Sequence, residues 1–180
     1  MYTREQIIDL MYHHKNHSLD LSNQDVDRLP DDLEILGSLD LSNTNIRVLP
    51  KGLEIDGDLV LTDCKDIKFL PSDIKVRGRM ILDGSGITRL PLIDFVDGCL
   101  DLTDSNIHSL PNDLTVDGDL CLSNTPITRL PLSLIVNDNL YIDGCNITDL
   151  PDDLIVGDKI FVKKKTCLIK DFKNNKYKYI

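Results

Sequence analysis

Seven Leu-Pro pairs, ending at Pro30, Pro50, Pro71, Pro91, Pro111, Pro131 and Pro151, punctuate the 180-residue chain at 20-residue intervals, with one interval of 21. A fixed period of this length constrains the fold strongly. Each repeat is one small unit that can bury its apolar side only against its neighbours. Written from its first strand, the unit is L-x-L-x-x-(T/S/C)-x-I-x-x-L-P-x-x-L-x-(V/I)-x-(G/D)-x. Seven copies run from Leu19 to Lys159, and an eighth starts at Ile160 and dissolves into Lys163-Lys164-Lys165. The extra residue of the long copy lies in Cys64-Lys65-Asp66-Ile67.

Each column of the repeat has a physical meaning. The L-x-L pair alternates with period two, which predicts a short strand with its leucines on one side. Four more apolar columns follow: Ile46 to Ile147, Leu49 to Leu150, Leu53 to Leu154, and Ile55 to Val156. No single coil can bury that many side chains, so stacked coils must form the core. Proline fixes φ and lacks a donor, which suits a bend between strands. The column Gly37, Gly57, Gly78, Gly98, Gly118, continued by Asp138 and Asp158, reads as a left-handed or otherwise tight turn. Thr44, Cys64, Ser85, Ser105, Thr125 and Cys145 form a small polar column placed to bond adjacent backbone. It predicts a structural ladder rather than a row of catalytic serines.

The ends differ from the body. Thr3-Arg4-Glu5-Gln6 is a capping-box pattern followed by Ile7, Ile8, Leu10 and Met11, which predicts a short amphipathic helix over the first coil. Cys167-Leu168-Ile169, Phe172, Tyr177 and Tyr179 are placed to close the other end, and the lysines there would discourage strand pairing at the edge. The expected organisation is one domain, 1–180, with an N-terminal cap (1–18), repeats (19–162) and a basic C-terminal cap (163–180).

With these columns in place, the chain resembles the leucine-rich-repeat superfamily, in the short bacterial and bacteriophage form with a Leu-Pro step. The stretch Leu39-Asp40-Leu41-Ser42-Asn43-Thr44-Asn45-Ile46-Arg47-Val48-Leu49-Pro50 carries the likeness most clearly. The resemblance implies a mainly β, right-handed parallel-β solenoid of about seven to eight coils whose strand face binds other proteins. Two features depart from the family pattern. Its buried Asn is Thr, Ser, Cys or Gln24 here, and the L-x-(V/I)-x-G segment reads as a second extended stretch, so a straighter β-helix-like solenoid is the alternative.

Charge narrows the function classes. From Lys159 to Ile180 eight Lys face one acid, a segment of +7, whereas the rest of the chain carries -17 within a net charge of -10. An acidic body argues against direct nucleic-acid binding and against an anionic membrane surface. No apolar run approaches the roughly 18 residues of a membrane span, and Arg4, Glu5 and Asp9 interrupt the N-terminal segment, which reads as neither signal peptide nor anchor. The five cysteines are odd in number and form no Cys-x-x-Cys pair, which points to a reducing cytoplasm and gives no metal or cofactor site. His13, His14 and His17 lack carboxylates or thiols at ligand spacing, and Asp-Gly-Asp at 56–58 and 117–119 lacks the period of the calcium solenoids. Phosphate-loop, nucleophile-elbow and zinc-protease motifs are missing, so the chain reads as non-enzymatic, with no cofactor.

Function is therefore sought on the outward columns. The central one, inside L-x-L, runs Asp20, Asp40, Val60, Ile81, Asp101, Cys121, Tyr141, Phe161. Its apolar members are expected to be two exposed patches, flanked by an acidic rim that includes Asp119 and Asp143, on which a protein partner would sit. The leading expectation is a protein-binding inhibitor or adaptor. The alternative is an acidic mimic of nucleic acid that blocks a nuclease or other nucleic-acid-binding defence enzyme, as in phage anti-defence proteins. Leu92-Ile93 and Leu132, which interrupt the acids after the prolines, would allow a homodimer.

Overall fold

The computed structural model describes residues 2–13 and 16–162, together with the backbone of 178–179. It is a mainly β parallel solenoid of about seven turns with one short helix at its N-terminal end. The front sheet is built from the first L-x pair of each coil: β1 (Leu19–Asp20), β3 (Leu39–Asp40), β5 (Leu59–Val60), β7 (Met80–Ile81), β9 (Leu100–Asp101), β11 (Leu120–Cys121), β13 (Leu140–Tyr141) and β15 (Lys159–Phe161). The strand β16 (Lys178–Tyr179) adds to β15 in parallel. All pairings are parallel and follow the repeat, Leu39 beside Leu59 and Leu59 beside Met80. The other C-terminal residues expected to close the stack, from Cys167 to Tyr177, lie outside the described residues.

The back of each coil is the second extended segment expected after the proline. It forms one sheet of β2 (Glu34–Ile35), β4 (Glu54–Ile55) and β6 (Lys75–Val76), and another of β8 (Phe95–Val96), β10 (Thr115–Val116), β12 (Ile135–Val136) and β14 (Ile155–Val156). A third, minimal ladder pairs Phe69 with Arg89 and Arg89 with Ser109 just before the Leu-Pro corner. The inward columns are buried almost without exception and form one core cluster from Ile7 to Ile160.

The break between β6 and β8 has a local cause. At the inward position filled by Leu53, Ile74, Leu114 and Leu134, this coil has Asp94, which is exposed, and Ile93 packs partly against the core instead. A carboxylate in that core would need a partner it does not have. The preceding position is left-handed at Asp32, Gly52, Asp113 and Ser133, a conformation strained for a β-branched residue such as Ile93. The turn is therefore re-formed, with Ile93 N–H donating to the Pro91 carbonyl at 2.8 Å, and Leu92 is left 96% exposed. Exchanging the order with Ile93→Asn and Asp94→Leu is expected to join the two back sheets and add about 1–2 kcal/mol of stability through one more buried leucine. A thermal-unfolding midpoint that falls instead would show that the break has another origin.

The N-terminal helix α1 (Arg4–Tyr12) carries the expected capping box, the Thr3 hydroxyl accepting from Gln6 N–H at 3.2 Å and the Gln6 side chain accepting from Thr3 N–H at 2.9 Å. Ile7 is fully buried and Leu10 and Met11 partly so, covering the first coil; Ile8 points outward. The glycine column bends the chain as expected, and the cause is now specific. Of the glycine column only Gly98 has a positive φ; the others are small because a Cβ at Gly57 or Gly118 would come within 3.0 Å of the backbone of the coil below. The recurrent left-handed residue is instead Asn23, Asn43, Asp63, Gly84, Asp104, Asn124 and Gly144, two residues after L-x-L. Asn, Asp and Gly are the residues that accept this conformation.

Candidate functional site

The central column lies on the outer surface of the front sheet, and the parallel register sets its members side by side: Val60 beside Ile81, Ile81 beside Asp101, Asp101 beside Cys121, Cys121 beside Tyr141, Tyr141 beside Phe161. The structure thus brings the expected residues into one line. It also corrects their exposure. Val60, Ile81, Cys121, Tyr141 and Phe161 are half-buried, not exposed, since each stands between neighbours of its own column at the strand spacing of about 4.8 Å. The Tyr141 and Phe161 rings are stacked, with centroids 4.5 Å apart and planes 5° from parallel. Stacking across strands stabilises the sheet and also fixes the two rings as one rigid unit.

The acids of the face are engaged locally. Asp20, Asp40 and Asp101 each accept from the backbone N–H two residues ahead, of Ser22, Ser42 and Thr103, at 2.8–2.9 Å. Asp119 accepts from both the backbone and the side-chain amide of Asn139 at 2.9 Å. That bond continues a ladder along the same edge, in which Ser18 accepts from Ser38 N–H, Ser38 from Asp58 N–H, and Asp58 from Arg79 N–H. Arg79 also forks onto Asp58 and holds its carboxyl below the usual range. Asp143 is half-buried, with one carboxylate oxygen buried and without a hydrogen bond.

Burial, followed by the neighbouring charges of Asp101 and Asp119, pushes the Cys121 thiol up to about 12. Burial, then Asp119, likewise raises the Tyr141 hydroxyl, which stays neutral as a hydrogen-bonding tip. At about pH 8 Cys121 should therefore react with iodoacetamide more than ~100-fold more slowly than an ordinary cysteine thiol, since only the thiolate attacks. Peptide mass mapping of alkylated protein over time measures this; alkylation at an ordinary rate would show that the site is more solvated than its side-chain stack implies.

The small polar column behaves as a structural ladder at four of its six positions. Thr44 Oγ1 and Cys64 Sγ both donate to the Leu41 carbonyl, at 2.7 and 2.9 Å, and Thr125 and Cys145 repeat the arrangement at the Leu122 carbonyl. Ser85 and Ser105 are buried without a side-chain bond. The Asp-Gly-Asp carboxylates have protein partners: Asp56 pairs with Arg77, Asp58 with Arg79, Asp117 with Asn137 and Asp119 with Asn139. Among the described residues no group of three or more His, Cys, Asp or Glu is placed to hold a metal ion, and no helix is long and apolar enough to cross a membrane.

The sequence singled out only two, Leu92 and Leu132, of the apolar side chains that the structure leaves well exposed. Leu92, Val48, Leu132, Ile155, Phe69 and Phe95 are all more exposed than the front-sheet residues singled out by the repeat. Leu92 and Leu132 carried a signal, as leucines where other coils have Asp, Lys, Ser or Asn; Val48 and Phe69 are the apolar members of a column that otherwise holds Arg28, Arg89, Ser109, Arg129 and Asp149. Compared with protein-family models, with curated proteins and with solved structures, the chain finds no match.

Proposed function

We propose that this solenoid is a non-enzymatic protein-binding module that holds one partner across its front sheet and acts as an inhibitor or adaptor. The observation that carries the reading is the stacked Tyr141–Phe161 pair, continued by Cys121 on the parallel front sheet and bordered by Asp101, Asp119 and Asp143. A rigid aromatic pair with a polar border is the composition of an interface anchor. Val60 and Ile81 form a second, smaller apolar step on the same face.

The acidic-mimic reading has less support. Three acids of the central column spend a carboxylate oxygen on local backbone amides, and Asp119 is tied to Asn139, which leaves them poorly placed to imitate a phosphate ladder. We also read the chain as a leucine-rich-repeat relative of the short Leu-Pro type, on the seven L-x-L…I…L-P units and the parallel front sheet they form. The free cysteines Cys64, Cys99, Cys121 and Cys145 support a reducing cytoplasmic setting.

The test is affinity capture from the native host, read by mass spectrometry, with the wild-type chain beside the double variant Tyr141→Ala, Phe161→Ala. The expected result is one protein retained at 0.5 M salt, a concentration of order that screens exposed charges, and lost with the double variant. A bound protein that survives both substitutions and washes off in salt would overturn the front-sheet reading and favour mimicry.

A further inference from the structure

The Leu-Pro corner forms a third side of the solenoid, and its chemistry is unlike the rest of the molecule. A shallow groove runs along it across four coils, with adjoining segments of about 370, 540 and 320 Å³. Its apolar wall is Val48, Phe69 and Leu92, which are 64%, 51% and 96% exposed. Cations line it at Arg28, Arg47, Lys51 and Arg89. The acids among its lining residues are Asp31 and Asp73, which accept from the backbone N–H groups of Lys51 and Gly52.

Where the two sheets carry cations at the middle coils, three of them sit on a carboxylate, Lys75 on Glu54, Arg77 on Asp56 and Arg79 on Asp58. The groove cations are not held this way. Arg89 lies over the Phe69 ring at 4.8 Å, which orients its guanidinium without neutralising it. Arg47 meets Asp66 only at 3.6 Å, with both side chains at least half exposed, a contact of little strength. A chain of net charge -10 thus gathers unmatched guanidinium groups around its exposed apolar residues.

We propose that this groove docks a short, extended acidic segment of another protein, with an apolar residue between its carboxylates. Guanidinium forks bind carboxylates in bidentate fashion, and Arg47 and Arg89 flank the apolar step at Phe69. From Arg28 to Arg89 the groove spans three coil steps of ~4.8 Å, which matches four to five extended residues at about 3.3 Å each. A long polyanion such as nucleic acid would extend beyond the four cations into the acidic sheet faces and be repelled. This surface is separate from the front sheet and does not depend on the reading given for it.

The probe is a fluorescein-labelled Asp-Glu-Leu-Glu-Asp peptide, measured by anisotropy on the full chain, beside its Asn/Gln counterpart and a short single-stranded oligo-dT. The acidic peptide should bind and the neutral one should not. Arg47→Glu with Arg89→Glu should weaken binding at least roughly tenfold, and Phe69→Ser should weaken it as well, while Tyr141→Ala with Phe161→Ala should leave it unchanged. These corner residues are exposed, so an unchanged thermal midpoint will show that the variants fold; where it falls, Arg89→Gln alone, which keeps the side-chain length, takes their place. No binding of the acidic peptide, binding unaffected by the corner substitutions, or displacement of the peptide by oligo-dT would each overturn the proposal. So would self-association in sedimentation that the same substitutions abolish, which would make a second copy the occupant.

Discussion

Leu102→Asp should give a chain with no cooperative unfolding transition. Leu102 is fully buried in the inward column between Leu82 and Leu122, and its backbone N–H donates to the Cys121 carbonyl at 2.8 Å. An unpaired carboxylate there loses the transfer energy of a leucine and meets a desolvation penalty of several kcal/mol. Together these approach the roughly 5–15 kcal/mol that stabilises an ordinary domain. In a solenoid the damage spreads along the axis, because each coil is stabilised through its two neighbours. Asp94 shows why the front sheet differs from the back. There a carboxylate is tolerated, but only because the loop from Pro91 to Phe95 re-forms and the back sheet breaks. Beside Leu102, β9 is held in register by β7 on one side and β11 on the other, so the chain has no local path by which to turn the residue out. The milder Leu102→Ala should remain folded and lose about 2–5 kcal/mol. Circular dichroism and urea denaturation test both, and an unchanged urea midpoint for either variant would contradict this picture of the core.

How much of the molecule could be read in advance depended on whether a column had one physical requirement or several. The inward leucines and isoleucines have one, burial, and the repeat displayed it at every coil. The capping box was legible for the same reason, since Thr3 and Gln6 bond only each other's backbone groups. The glycine column gave the bend but not its cause, because two requirements favour the same residue: a left-handed φ, and close approach by the neighbouring coil. Gly98 shows the first and Gly57 the second. The alternation Asn43, Asp63, Gly84, Asp104, Asn124 was the better left-handed signal, since it has no apolar member.

For the candidate site, the period named the residues of the front column and their order. It could not give their exposure, which depends on how side chains of unequal size settle against each other between coils. The stacking of Tyr141 on Phe161 is such an outcome. The corner groove was less legible still. Arg28, Val48, Phe69 and Arg89 occupy one column, two residues before each proline, but they mix cations with apolar residues, so no single physical requirement marked them as a surface.

The one irregular interval makes the second large prediction. The longer coil places an additional residue in Cys64-Lys65-Asp66-Ile67, and the coil above it has Gly86 where other coils have Asn45, Asn106, Pro126 or Asn146. The bulged Lys65 carbonyl accepts from the Lys68 ammonium at 2.7 Å and crowds the α-carbon of Gly86. A Cβ at Gly86 would overlap the carbonyl oxygens of both Lys65 and Ile67. These are backbone atoms, held in place because Gly86 N–H itself donates to the Cys64 carbonyl at 2.9 Å, so no rotamer change relieves the clash. Gly86→Ala is therefore expected to destabilise the chain by about 3 kcal/mol or more, the upper part of the range for overpacking. Glycine is needed here for space and not for backbone freedom, since its φ is not in the left-handed region. The cause can be separated from a general intolerance at residue 86. Deleting Asp66 returns the coil below to the common 20-residue length and should draw the Lys65 carbonyl back, so that Gly86→Ala or Gly86→Asn in the deleted background costs little. Urea midpoints of the four chains form a double-mutant cycle. A coupling near zero would mean that the inserted residue and the glycine are independent; a coupling of about 2 kcal/mol or more would make the glycine the structural answer to the insertion.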